Sequence, residues 1–282
     1  GTPNPDYDSI IAGKRPFLSP WFFWLRFAVY AITFVWFAKY FRKWSLKEDE
    51  IGGTEIHFRM YRRGALFLVF FAVFSSTLAW DWLMSIDTHW YSTMYSWYTF
   101  ISSFVAGMSL VVLFVVYLKN HDYLEYVTEE HLHDLGKFMF AFSVFWTYLG
   151  YSQFMLIWYA NIPEETVYFK PRMQGVYRGI FFLNLIVNFA VPFLLLMRRG
   201  SKRNYTTLTF LAILIILGHW IDFYQMVMPG TMNEHYSLGW FEFGILVLYA
   251  GLIMHFVGKG LSKKPLVALH HPYIKESVIH HT

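Results

Sequence analysis

The sequence predicts an all-α, polytopic transmembrane helix bundle of about seven spans. The first observation is a set of long apolar stretches near 18–40, 64–86, 95–118, 136–160, 175–197, 205–228 and 237–258. Each is about 22–25 residues long, enough to cross roughly 30 Å of hydrocarbon at 1.5 Å per residue. The second is the alternation of Lys and Arg between the connections. The third is composition: 56% of the 282 residues are hydrophobic and 22% are aromatic. The chain reads as a single membrane domain over 1–282, with 259–282 as a tail.

The elements follow in order. The chain opens Gly1-Thr2-Pro3-Asn4-Pro5, which reads as an external polar loop running through Pro16 to Pro20. The loop-like start and the odd span count suggest either that an N-terminal portion precedes residue 1 or that the chain is processed from a longer precursor. The first span begins at an aromatic group, Trp21 and Trp24. The connection 41–63 carries Arg42, Lys43, Lys47, Arg59, Arg62 and Arg63, with Lys39 just before it. The second span ends at Trp80 and Trp82, and the connection 87–94 has no Lys or Arg. The stretch 119–135 holds His121, Glu125, Glu129, Glu130, His131, His133 and Asp134. It reads as a short polar helix and a solvated cap for the fourth span, because His-x-His among acids is not a closed metal-ligand set. The loop 161–173 is the largest bare-side connection and a plausible docking surface, although Lys170 and Arg172 lie in it. The turn 198–204 packs Arg198, Arg199, Lys202 and Arg203, whereas 229–236 has no basic residue. The tail carries Lys259, Lys263, Lys264 and Lys275, with His270, His271, His280 and His281, and reads as partly extended rather than metal-binding.

By the positive-inside rule the basic connections and the C-terminus are cytoplasmic and the bare connections external; Lys14 and Arg15 before the first span, and Lys170 and Arg172 before the fifth, are outnumbered by the basic loops. Tryptophans and tyrosines at span ends, including Trp90, Trp97, Trp158, Tyr159 and Trp240, form the interfacial belt. The basic sequence pI, near 9.0, therefore follows from topology and is no nucleic-acid signal. Cysteine is absent. That excludes a disulfide framework, a thiolate-held iron–sulfur cluster and a C-x-x-C-H haem site within these 282 residues. Gly107 with Ser109, and Gly251, Gly258 and Gly260, read as helix-packing positions rather than a phosphate loop.

Ionisable groups inside a span are costly, so they face the bundle interior and pair, or they act. Counting 1.5 Å per residue puts Asp81 about 8 Å, Asp222 roughly 9 Å, His219 roughly 13 Å and Glu242 about 8 Å below the external end. Arg26 and Arg178 fall in the same band, about 5–12 Å deep. Tyr148, Tyr151, Ser152 and Gln153 join from the fourth span. Asn184 and Asn188, four apart on one face, extend the polarity inward. Two readings compete. In one, the arginines snorkel or pair with Asp81, Asp222 and Glu242 as helix glue. In the other, His219 and Asp222, one turn apart, handle protons or bind a quinol, whose hydroxyl needs an acceptor that takes its proton. A bis-His haem is disfavoured: the mid-span histidines His219 and His255 lie at depths of about 13 Å and 27 Å.

Two segments carry a resemblance. They are Asp81-Trp82-Leu83-Met84-Ser85-Ile86-Asp87-Thr88-His89-Trp90-Tyr91-Ser92 and the run from Tyr148 to Thr166, with Gly150-Tyr151-Ser152-Gln153 at its start. The chain resembles the polysulfide-reductase/NrfD-like integral membrane subunits of bacterial alternative complex III, of the second quinol-subunit type, through nearly its whole length. The resemblance implies a four-helix-bundle core with flanking helices, this chain being the C-terminal seven. It implies a quinol:cytochrome c (electron acceptor) oxidoreductase complex of the bacterial inner membrane. The partners would be a sister NrfD-like subunit, an iron–sulfur subunit, c-type cytochromes and a terminal oxidase, within lipid. Haem c and iron–sulfur clusters would lie in those partners, menaquinol or ubiquinol would be the reductant, and this chain would hold no redox centre. Its role would be structural and proton-conducting; direct quinol binding on the outer side is the alternative, and a transporter or channel the reading from another class. The candidate proton-path or quinol residues are Asp81, Asp87, His89, Tyr151, Arg178, His219, Asp222 and Glu242.

The orientation is testable because the chain has no cysteine. A cysteine placed at Thr166 is expected to react with an impermeant maleimide from outside intact cells, and one at Ser201 only after lysis. The reverse labelling pattern would invert the topology.

Overall fold

The structure, a computed structural model, describes residues 8–232 and 239–280. The opening Gly1–Pro5, the start of the seventh span at 237 and His281 fall outside these. Every regular element among the described residues is helical. In chain order these are α1 (Ser9–Leu18), α2 (Pro20–Ile51), α3 (Glu55–Trp82), a 3₁₀ turn (Met84–Ile86), α4 (Thr93–Asn120), α5 (Glu129–Ala160), α6 (Pro163–Thr166), α7 (Phe169–Arg172), α8 (Gly175–Leu185), a π turn (Ile186–Ala190), α9 (Val191–Leu196), α10 (Arg199–Arg203), α11 (Tyr205–Met232), α12 (Trp240–Leu261) and α13 (Ile274–Val278).

Six of these, α2, α3 with its 3₁₀ extension, α4, the α8–α9 unit, α11 and α12, are long and apolar enough to cross a membrane. The expected fourth span is α5, which at 32 residues has the length but is not one of the six. Its central turns carry Ser143, Trp146, Thr147, Tyr148, Tyr151, Ser152 and Gln153, residues that lower hydropathy; Ser143, Trp146 and Gln153 are buried among neighbours, and Tyr148 and Tyr151 are exposed. The protein is a multi-pass membrane protein with a helical-bundle fold.

Several expected boundaries move for one reason: a hydropathy run stops at the first charge, but a helix does not. The basic stretch 41–63 is mostly the ends of α2 and α3. The true connection is residues 52–54, where Gly52 and Gly53 take positive φ of 71° and 84°, conformations that glycine adopts without strain. The 32 residues of α2 extend about 48 Å, well beyond a bilayer core. The polar stretch 119–135 is not a separate helix. It is a turn followed by the start of α5, where Thr128 and His131 form a reciprocal capping box, as the expected cap requires. Within the expected N-terminal loop, Ser9–Leu18 is helical, and Asp8 accepts from the backbone N–H groups of Ile10 and Ile11. His89 also bonds Asp8, and that bond, with the one from Ile11, holds the carboxyl below its usual range.

Helices α4, α5, α8–α9 and α11 form the four-helix core. Helix α4 lies between α11 and α5, and the broken α8–α9 unit closes the square between the same two. The α2–α3 hairpin packs on α4 through α3. Helix α12 has no buried residue and leans on the bundle through contacts such as Phe243 against Trp220. Trp21, Trp24, Trp97, Trp158, Tyr159 and Trp240 are exposed, as a belt requires, but Trp90 is buried and stacks on Tyr168 at 4.1 Å. At Gly107, Gly251 and Gly258 an added Cβ would meet nothing of this chain within 4 Å.

The two ends of the bundle separate as the charge pattern predicts. The α2–α3 connection, the α4–α5 turn, α10 and the tail share one end. There Leu269 N–H donates to Asp49, His280 pairs with Asp134, and Arg203 pairs with Glu130. The tail is therefore folded back and partly helical. Lys202, buried here, donates to Leu196 O at 2.8 Å and closes the C-terminus of α9; burial pushes its ammonium pKa down. At the opposite end, Lys14 donates to Thr88 O and Trp90 O, tying α1 across the 83–92 segment.

Between α2 and α3, Arg26 grips Asp81 with two bonds, Nε to Oδ2 at 2.8 Å and Nη2 to Oδ1 at 2.6 Å. Tyr30 Oη donates to the same carboxylate, and the guanidinium lies over Phe17 and Phe22 at 4.0 Å and 4.2 Å. Breaking such a pair strands a charge in apolar surroundings at a cost of about 3–5 kcal/mol. Asp81→Asn is therefore expected to lower the thermal unfolding midpoint in detergent markedly, whereas Arg178→Gln, on an exposed side chain, leaves it unchanged. Equal midpoints would show that the Arg26–Asp81 pair is not what holds α2 to α3.

Candidate functional site

Asp222 lies on α11 where the four core helices meet, 2% exposed. Its Oδ1 accepts from Tyr98 Oη of α4 at 2.6 Å and from Asn184 Nδ2 of α8 at 2.7 Å. Its Oδ2 accepts from Ser102 Oγ of α4 at 2.7 Å and from Trp146 Nε1 of α5 at 3.0 Å. Four donors use the full acceptor capacity of an ionised carboxylate. Each neighbouring helix thus supplies at least one donor to a single acid.

His219 sits one turn earlier, 1% exposed, with Nδ1 2.9 Å from Ser102 Oγ and 3.8 Å from Asp222 Oδ2. Ser102 therefore bridges imidazole and carboxylate. When its hydroxyl donates to Asp222 it accepts from His219 Nδ1–H; reversing both bonds moves a proton from the ring to the acid. His219 Nε2 is buried without a hydrogen-bond partner. His255, by contrast, is exposed on α12, so the two mid-span histidines do not face each other.

The local fold explains how Asn184 reaches in. Pro192 cannot donate to the carbonyl of Asn188, and the helix widens into the π turn just before it. Asn188 Nδ2 donates to Asn184 Oδ1, fixing that amide with its NH₂ toward Asp222. Close approach of α11 depends on Gly218: a Cβ there would stand 2.1 Å from Asn188 Oδ1 and 2.6 Å from Val187 Cγ1.

Above Asp222 is a cavity of about 380 Å³ toward the α1 end, bordered by Tyr95, Tyr98, Trp146, Asn184, Gln225 and Arg172 among others. Half of its lining residues are aromatic, and Tyr151 and Gln153 lie at its α5 side. Both amide atoms of Gln225 are buried without a partner. Arg172, 2% exposed, forms the rim. It donates to Gln225 O, Met226 O and Tyr168 O, pairs with Asp87 at 3.0 Å, and stacks 3.5 Å over the Tyr168 ring. Pro229 explains this arrangement: it lacks the N–H that Gln225 O would receive within α11, and Arg172 supplies the missing donor.

Below His219 the bundle is apolar. Val105, Val112, Met139, Leu208, Leu211, Ala212 and Ile215 are fully buried there. Ser109 and Ser143 are buried polar side chains of this region, and Ser109 Oγ is taken up by Val105 O of its own helix. The polar site is therefore closed off toward that end by mostly apolar packing.

The expected outer polar band is thus divided. His219 and Asp222 converge, and Asp87 reaches the cavity rim through Arg172. Asp81 belongs to the separate α2–α3 pair. Arg178 points out of the bundle, exposed, so its expected interior role passes to Arg172. Glu242 caps its own helix by accepting from Gly239 N–H at 2.8 Å, and α12 stands outside the core. His89 is exposed and pairs with Asp8. Tyr151 is largely exposed at the cavity edge, and Tyr148 is likewise exposed. Tyr98, Ser102, Trp146 and Gln225 escaped the sequence reading, since a Ser, Trp or Tyr in an apolar run is not unusual. Pro229, four residues after Gln225, was the available sign that a donor was needed there. Compared with models of protein families and with curated proteins, the chain matches none.

Gly218→Ala tests how the site is held. Overpacking at a helix contact costs about 1–3 kcal/mol. The variant is expected to unfold at lower temperature and to shift the fluorescence of Trp146, as α8–π–α9 is pushed from α11. An unchanged spectrum and midpoint would show that the approach at Gly218 is not needed.

Proposed function

We propose that this chain is a proton-handling membrane subunit, without its own redox centre, of a quinol:cytochrome c (electron acceptor) oxidoreductase complex of the bacterial inner membrane. The observation that carries the proton-handling part is the Asp222–Ser102–His219 relay, buried at the meeting of four helices beneath a cavity that lies toward the end with fewer basic residues. The complex itself is inferred from the resemblance carried by the 81–92 and 148–166 segments. In this reading the cavity end faces outside and the Lys/Arg-rich end with the C-terminus faces the cytoplasm. Quinol is oxidised in a partner, electrons pass to iron–sulfur and haem c centres there, and protons reach the outer face through Asp222. The apolar packing below His219 supports a path leading outward only.

A second reading is favoured by the cavity itself. About 380 Å³ lined by aromatic rings, with a carboxylate at its base and an unpartnered Gln225 amide in its wall, suits a quinol head group. A quinol hydroxyl taking the place of the Tyr98 or Asn184 donor would then pass its proton to Asp222.

The two readings separate in the purified complex reconstituted in vesicles. A positioned proton acceptor contributes on the order of a hundredfold or more. Asp222→Asn and His219→Leu are expected to assemble with cytochromes, reduce acceptor from quinol, and lose proton release to the cavity side. Loss of quinol-dependent reduction together with weakened binding of a quinol analogue would favour the second reading. Normal proton release and turnover in both variants would overturn both. Glu242→Gln, a cap on a peripheral helix, is the control expected to behave as wild type.

A further inference from the structure

The folded-back tail brings together three side chains from distant parts of the sequence. Glu48 lies in the last turns of α2, His57 in the first turn of α3, and His271 in the tail. One ligand atom from each lies within 4.8 Å of the others. Glu48 is 2% exposed, and its Oε1 has no hydrogen-bond partner. His57 Nδ1 is 3.6 Å from that oxygen, too far for a hydrogen bond. A buried carboxylate oxygen facing two imidazoles with no bond between them is unsatisfied unless something sits between them.

A divalent ion meets that need. Tetrahedral zinc, with bonds of about 2.0–2.1 Å, sets its ligand atoms about 3.4 Å apart. The 3.6 Å between Glu48 and His57 is close to this spacing. Two imidazoles and one carboxylate form a known zinc donor set, leaving the fourth position for water. The frame is built on both sides. The Gly52–Gly53 turn folds α3 back on α2, so that Glu48 and His57 face each other. The tail is pinned beside His271: Leu269 N–H donates to Asp49 Oδ1 and His270 Nδ1 bonds Asp49 O. Two residues on, Tyr273 packs against His57 with ring centroids 5.3 Å apart. Tyr273 N–H also donates to His271 Nδ1 at 3.2 Å. Binding through Nε2 would move the ring proton to Nδ1 and replace this long bond with a metal bond.

We propose that Glu48, His57 and His271 form a zinc site that clips the C-terminal tail to the α2–α3 hairpin. The site is far from the Asp222 cavity and does not depend on the function proposed for it. Its length along α2 puts Glu48 past the hydrocarbon, about 42 Å from the start of the helix, where aqueous metal can reach it.

The test uses the full chain purified in detergent without a histidine tag, stripped with chelator and dialysed against Zn²⁺. Wild type is expected to retain zinc stoichiometrically and, loaded with Co²⁺, to show the intense visible bands of tetrahedral coordination. His271→Ala, a tail change that spares the bundle, is expected to weaken retention about 10–100-fold or abolish it. Glu48→Gln should act in the same direction, whereas His121→Ala, at the exposed α4–α5 turn, should leave retention unchanged. Zinc should also slow tryptic cleavage at Lys275 in wild type but not in His271→Ala. No retained zinc in wild type, equal retention in His271→Ala, or a Co²⁺ spectrum of octahedral type would overturn the proposal.

Discussion

Asp222 binds hydrogen-bond donors from every other helix of the core, and the bundle is arranged around keeping that one acid satisfied. A carboxylate taken out of water needs its lone pairs filled, and each donor missing would cost about 1–3 kcal/mol. Tyr98 and Ser102 fix the face of α4, Trp146 the rotation of α5, and Asn184 the depth of α8. The helices cannot rotate or slide independently without breaking a bond to the same residue. The broken α8–α9 unit, Gly218 and the Asn188 amide all follow from bringing Asn184 close enough.

Two polar centres with different chemistry emerge at similar depth. The Arg26–Asp81 pair closes on itself: cation and anion are matched, and aromatic rings cover the guanidinium. That arrangement binds helices and leaves little to exchange. Among the described residues, the basic side chain within 4 Å of Asp222 is a histidine, a side chain that exists with or without its charge. A pair whose charge can move differs from one whose charge is fixed, and the cavity lies above the first.

Much of this was legible in the sequence. Apolar length gave the spans, and the spacing of Lys and Arg gave the two ends, because both are properties of the bilayer as solvent. His219 and Asp222 stood out, since a titratable group in a span needs a reason. What the sequence could not show was partnership. Arg26 and Arg178 look alike as isolated arginines in apolar runs, yet one is clamped to Asp81 and the other faces outward. Arg172 looked like a loop charge and is the more deeply buried, because Pro229, more than fifty residues away, leaves a carbonyl open for it. The tail looked extended because its polar composition contains no periodic apolar face, whereas its order comes from bonds to α2 and α5 and ring packing on His57 of α3.

The apolar packing beneath His219 also sets where an electric field falls. A dry region has a low dielectric constant and water a high one, so with water in the cavity, as the proposed proton path requires, most of the membrane voltage would drop across the layer from Ile215 to Leu208 rather than across the cavity. Moving one charge through the full potential takes about 2.3 kcal/mol per 100 mV. A proton passing between Asp222 and the cavity mouth crosses only a small part of that drop. Its exchange should then be nearly independent of the voltage that the membrane carries, and the work against that voltage would be done elsewhere.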